Sequence, residues 1–245
     1  MLRILTYNVH RCLGLDGQLS PARIAEVIAS CEADIVALQE IDVRRARTRS
    51  VDQAQAIAEE LCMHFHFHPA IRVMEELYGD AILTHRPSKL VKAGPLPSWG
   101  SKKILVEPRG ALWASVNLNG TEVQIINTHL GLRGPERLRQ VDALLGPEWL
   151  GAQAACEPII VAGDFNAIPR SLVYRRLTSH LNDAQSSLTC PRQQPTYPAR
   201  APFLRIDHVF VSCKVEVFKA ETIKTPLARV ASDHLPLVVD FGFVA

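Results

Sequence analysis

Short apolar runs that end in polar residues alternate along the chain with segments whose apolar residues recur every three to four positions. The first run, LRILTYNV at positions 2–9, carries Ile4, Leu5 and Val9 and predicts a buried strand. Ser20 followed by Pro21 predicts a helix start, with Ser20 as cap and Ile24, Val27 and Ile28 on one face. DIVALQEI at 34–41 predicts a second strand, apolar until Gln39 and Glu40, and a helix follows at about 51–61. Further strands are expected at 65–70, 80–84, 110–117, 122–129, 158–162, 204–211, 215–221 and 235–241, with a longer helix at about 135–150. Leu118-Asn119-Gly120-Thr121 is too short for a crossover helix, so it predicts a hairpin and argues against pure βαβ winding. Mixed sheets with helices outside fit the pattern, in one domain over 1–245. The proline-rich stretch TCPRQQPTYPARAP, 189–202, predicts an extended loop rather than a linker.

Composition narrows the class. The chain is 47% apolar and 21% charged, as in ordinary globular proteins, and no apolar run approaches the ~20 residues that span a bilayer. MLRILTYNVH leads directly into polar residues, which argues against a cleaved signal peptide and makes the cytoplasm the expected compartment. Six cysteines (Cys12, Cys31, Cys62, Cys156, Cys190 and Cys213) are spread singly, so reduced and mostly buried thiols are expected. A net charge of +2 is too small for duplex binding by bulk electrostatics. Any preference for a polyanion must come from a cluster such as Arg44, Arg45, Arg47 and Arg49. HFHFH sets His64, His66 and His68 on one strand face, roughly 7 Å apart, which reads as a solvated face rather than a zinc site.

Polar residues cluster at strand ends: Asn8, Glu40, His129, Asp164 with Asn166, and Asp233 with His234. Taken singly, Asn8, Asp164, Asn166 and Asp233 read as turn formers or caps, and His129 as a half-buried imidazole. Glu40 differs, because a carboxylate closing IVALQ must be paired, hydrated or metal-bound. Together the set supplies hard oxygen ligands for Mg²⁺ and donors for phosphate oxygens, the groups that phosphate-ester hydrolysis requires.

TYNVH, ALQE, NTHL, GDFN and SDHLPL, with RIDHVFV before the last, resemble the successive motifs of the endonuclease/exonuclease/phosphatase superfamily over nearly the whole chain. The resemblance implies an α/β (α+β) four-layer sandwich of the pancreatic deoxyribonuclease type, two packed mixed sheets flanked by helices. It implies a Mg²⁺ site, with Mn²⁺ able to substitute, at Glu40 with Asn8 and Asp233. Asp164 resembles the carboxylate that activates the attacking water, Asn166 a group bonded to the phosphate or that water, and His129 and His234 the pair flanking the phosphate. Asp207 matches the carboxylate that orients the second histidine, and Arg109 lies where a basic residue would clamp phosphate. LYGDAILTH resembles a turn lining the site, with Asp80 where Asn and His85 where Ser is more usual. The implied substrate is a phosphodiester. Nucleic acid is slightly favoured; a phospholipid or sphingomyelin-type headgroup or a small phosphorylated molecule is the alternative, and no obligate protein partner is implied.

Overall fold

Period-two alternation sorts the strand side chains between layers. The computed structural model describes residues 1–98, 106–151, 157–188 and 194–244. They form two six-stranded mixed sheets. The first comprises β1 (Leu2–Asn8), β2 (Ile35–Val43), β3 (His64–Val73), β4 (Glu76–Thr84), β11 (Val215–Thr222) and β12 (Leu237–Phe243), in the order β11-β12-β1-β2-β4-β3. The second comprises β5 (Ser88–Pro95), β6 (Gly110–Leu118), β7 (Thr121–His129), β8 (Ile159–Asp164), β9 (Asn182–Asp183) and β10 (Asp207–Val211), in the order β5-β6-β7-β8-β10-β9. Each sheet holds one parallel pair, β1 with β2 and β7 with β8, amid antiparallel neighbours.

Between the sheets lies an apolar layer that includes Ile4, Ile35, Ala37, Leu112, Ile125, Ile160 and Val209. The alternate residues face outward. Leu5, Tyr7, Val36 and Leu38 pack under α1 (Pro21–Ala29), α2 (Gln53–Glu60) and α5 (Ala228–Ala231). Trp113, Ile126, Val161 and Phe210 pack under α3 (Gly134–Leu145) and α4 (Leu172–Thr178). The four layers are those the resemblance implies. Ser20 caps α1 as expected, accepting from the Arg23 N–H. No helix of the described residues is long and apolar enough to cross a membrane.

Several elements differ from expectation. β5 was not anticipated, and β10 begins at Asp207, not 204. Helix α3 stops at Leu145, where Gly146 takes an extended conformation. Of the 189–202 stretch, 189–193 fall outside the described residues and 194–202 form no helix or extended ladder. Cys156 and Cys190 also fall outside; Cys12 and Cys31 are buried but Cys62 and Cys213 exposed. The histidine face of β3 is solvated only at His64. His66 approaches the Ser88 carbonyl at 3.2 Å, and His68 packs on Gly110, so these rings close the edge between the sheets.

Candidate active site

The inner-facing rows turn polar at one rim. Ile4 is followed by Thr6 and Asn8, Ala37 by Gln39, Ile125 by Asn127 and His129, and Ala162 by Asp164. On β10, which runs the opposite way, Asp207 precedes Val209. Continued alternation therefore delivers these groups to one end of the sandwich. Just below, Gln39 and Asn127 clasp the two sheets. The Gln39 amide donates to Asn127 Oδ1 at 2.8 Å, and Asn127 donates to the Leu38 and Ala81 carbonyls at 2.8 Å each.

Glu40 has the wrong parity for this row. A bulge corrects it: between Leu38 and Ile41, β2 spends one more residue than β4, and Glu40 adopts φ +62°. Its carboxylate then accepts from Asn8 Nδ2 at 3.0 Å. The same nitrogen donates to Asp164 Oδ2 at 3.1 Å, while Asn8 Oδ1 accepts from the His10 N–H. Asn8 thus faces the carboxylates through its donor end. Left-handed backbone recurs at His10, Arg11 and Asn166, a concentration of strain at the rim.

Asp164 Oδ2 is the focus. Besides Asn8, it is approached by His129 Nε2 at 3.5 Å and His234 Nε2 at 3.7 Å. Oδ1 accepts from the Asn166 N–H at 2.9 Å, which fixes the carboxylate plane. Burial, with Asp207 nearby, raises the Asp164 pKa well above the usual carboxylate range. Gly163 permits this placement: at φ +149°, an added Cβ would stand 1.9 Å from the Thr128 carbonyl oxygen.

The tautomer of His129 follows from its neighbours. Arg109 Nη1 lies 3.1 Å from Nδ1, and a guanidinium only donates, so Nδ1 accepts and Nε2 carries the proton. Its 3.2 Å contact with Asn166 Nδ2 is then donor to donor; that amide donates instead to the Leu130 carbonyl. Burial, then Arg109 and His234, lowers the His129 pKa and keeps the ring neutral. Arg109 is itself buried and paired with Glu107.

His234 is set the other way. Burial opposes its charge, but Asp207 and Asp164 outweigh burial and raise its pKa well above the ordinary histidine value. Nδ1 donates to Asp207 Oδ2 at 2.9 Å; Thr196 donates to the same oxygen. Ligand atoms of Asp164, Asp207 and His234 lie within 4.8 Å of one another. Asp233, half-exposed, accepts from Ser232 Oγ and lies 3.8 Å from His10 Nδ1.

Glu40, Arg109, His129, Asp164, Asn166, Asp233 and His234 line one cleft of about 670 Å³, with Asn8 and Asp207 bracing it from behind. The sequence reading missed His10, Arg137 and Tyr197 among the lining residues. Tyr197, whose ring lies 4.8 Å from that of His234, sits in the proline-rich stretch, where no periodicity marks it. Thr196 was missed for the same reason. Of the arginine run, Arg45 and Arg47 reach the cleft, but Arg47 is held by two 2.7 Å bonds to buried Asp42. Arg44 lies near Glu75. LYGD is strand, not turn: Tyr78 lines the cleft, and burial raises buried Asp80 to about 8. His85 closes the far end of β4, bonded to the Asp34 carbonyl, so it has no place in the site.

The comparisons with known proteins bear on the family and the fold. Residues 5–234 match the Endonuclease/Exonuclease/phosphatase family. YbhP of Escherichia coli K12, described as uncharacterized, is 25% identical over 257 residues, spanning 96% of this chain and 94% of YbhP. A functionally unknown conserved protein from Enterococcus faecalis superposes with a TM-score of 0.79 at 20% identity, covering 99% of this chain and all of the other. The human Nocturnin catalytic domain with bound sulfate superposes with a TM-score of 0.73 at 25% identity, covering 99% and 93%.

Proposed function

The chain belongs to the endonuclease/exonuclease/phosphatase family, whose members are phosphoric ester hydrolases, and from that premise we propose that it hydrolyses a phosphodiester with the aid of Mg²⁺ or Mn²⁺. The observation that carries this reading is the convergence of Asn8, His129 and His234 on one oxygen of Asp164.

The donor set fits a hard cation. Among the described residues Glu40 has no Lys, Arg or His partner, and its one hydrogen bond comes from Asn8. Glu40, with Asp233, would hold the ion, while Asn8 fixes the ligand carboxylate from behind. A bound divalent cation would offset charge on the phosphoryl oxygens.

The chain's own groups do the rest. The N–H groups at Nε2 of neutral His129 and charged His234 bracket a phosphate oxygen and stabilise charge as it develops. Asp164, its pKa raised and its plane fixed by the Asn166 N–H, takes the proton of a water in line with the leaving oxygen. Asp207 keeps His234 charged and oriented.

On substrate, the slight preference for nucleic acid draws on the lack of a membrane-spanning run and on the arginine run. With Arg47 held by Asp42 and Arg44 near Glu75, that support weakens and a lipid diester becomes the better reading. Hydrolysis of bis-p-nitrophenyl phosphate, assayed with Mg²⁺, then EDTA, then Mg²⁺ or Mn²⁺ restored, tests the reaction. Turnover that persists in excess EDTA overturns it.

A further inference from the structure

Six exposed apolar side chains crown the rim that carries the cleft. β7 and β8 run toward this rim and are followed by Leu132, Ile168 and Leu172; β10 runs away from it and is preceded by Phe203. Across the cleft, β3 runs toward the rim and β4 returns, so their connection presents Val73 and Met74 on the same side. Leu132, Leu172, Phe203 and Met74 are each between 65% and 89% exposed. Exposure on that scale, concentrated around one opening, marks an interaction surface rather than scattered surface hydrophobes.

These side chains are held out, not merely loose. Arg137 Nη1 donates to the Gly131 and Leu132 carbonyls, and Asn166 donates to Leu130. Leu172 opens α4 behind its Ser171 cap, and the Phe203 N–H donates to the Tyr197 carbonyl. The segments 130–135, 165–173 and 194–206 contain no Asp or Glu, yet exposed Arg133, Arg170 and Arg200 stand beside the apolar residues. Glu75 and Glu76 follow Met74 and lie 3.8 Å and 3.4 Å from Arg44 and Arg45, so the cationic excess stands on the side of Leu132, Ile168, Leu172 and Phe203. A flank that is both aliphatic and cationic complements an anionic amphiphile. Single-stranded nucleic acid would call for aromatic platforms, and Phe203 is the one ring among the six.

We propose that this rim docks on the surface of an anionic phospholipid bilayer, so that the cleft opens onto the headgroup layer; as a statement about substrate it rests on the phosphodiesterase reading above. The test is flotation with vesicles of phosphatidylcholine and phosphatidylglycerol, against phosphatidylcholine alone and a single-stranded oligonucleotide. The full chain should float with the anionic vesicles. Met74→Ser with Phe203→Ser, or Leu172→Gln alone, should lower the bound fraction roughly tenfold or more for the pair and less for the single change. Phe65→Ser, an exposed ring at the opposite end of β3, should leave flotation unchanged. Thermal melts of each variant check folding. Failure of the wild-type chain to float, flotation of the paired variant at wild-type level, or oligonucleotide binding lost in its place would each overturn the proposal. The bis-p-nitrophenyl phosphate assay needs no bilayer, so its failure alone would indict the catalytic reading, and failure of flotation alone the docking.

Discussion

Asp164 and Asp207 stand opposite each other as register partners on β8 and β10, and His234 spans them, bonded to Asp207 through Nδ1 and directed at Asp164 through Nε2. Two buried carboxylates so close cannot both ionise without a counter-charge, and the imidazolium supplies it. The geometry suits the two acids to the proposed roles of base and orienting group: Asp207 is occupied by Thr196 and His234, whereas Asp164 lines the cleft.

Asp164→Asn keeps the size of the side chain but removes its basicity. Its kcat should fall by about 10² or more with modest change in KM, read by steady-state hydrolysis of a soluble diester. A variant within threefold of wild type would exclude Asp164 as the base.

Asp207→Asn leaves the proposed base, Asp164, intact and frees the ring of His234. A loss of about 10- to 100-fold in kcat is expected, together with a lower ring pKa seen by NMR titration. An unchanged ring titration would show that Asp207 does not set the charge of His234.

A second buried acid serves stability rather than chemistry. Asp183 pairs with Arg205 and accepts from Tyr174 and Ser186, and His208 Nδ1 lies 3.9 Å from its Oδ1. Burial opposes the carboxylate, yet His208 and Arg205 outweigh it and hold its pKa far below the usual range. The stabilisation is therefore complete above the unfolded value of roughly 3.9 and is lost as pH falls through the lower folded value. Arg205→Met should cost about 3 kcal/mol at neutral pH, and the gap from wild type in chemical denaturation should narrow below about pH 4. A gap that is independent of pH would refute this assignment.

Two glycines give a matched pair. Gly163→Ala drives a methyl into the Thr128 carbonyl between His129 and Asp164, whereas at Gly120 an added Cβ meets nothing within 4 Å, at φ +89°. The first should cost about 3 kcal/mol and most of the activity, the second about 1 kcal/mol and none. Equal effects in thermal melts would contradict the close approach of β7 and β8.

What the sequence revealed was what alternation and strand length control. IVALQE and IIVAGD announce their strands and the acids that follow the apolar run, although β2 continues past Glu40 to Val43, so the rim could be assembled from positions alone. β5, SKLVKAGP, was invisible because an edge strand needs little hydrophobicity and this one carries Gly, Pro and two lysines. The bulge at Glu40 left no mark in composition, although without it the residue would face outward. The pairing of Arg47 with Asp42, which ties one member of a suspected binding cluster into a structural ion pair, depends on burial that no charge pattern displays. Thr196 and Tyr197 owe their roles to contacts across the fold, not to local sequence.

The clasp between Gln39 and Asn127 lies one residue below Glu40 and two below His129, and those two belong to different sheets. The gap proposed to receive phosphate is thus gauged by the thickness of the layer between the sheets. Trimming Ile4 or Ile125 deep in that layer would detune the jaws without touching them. This is a caliper whose zero is set in the core, and catalysis becomes a readout of how far apart two sheets are held.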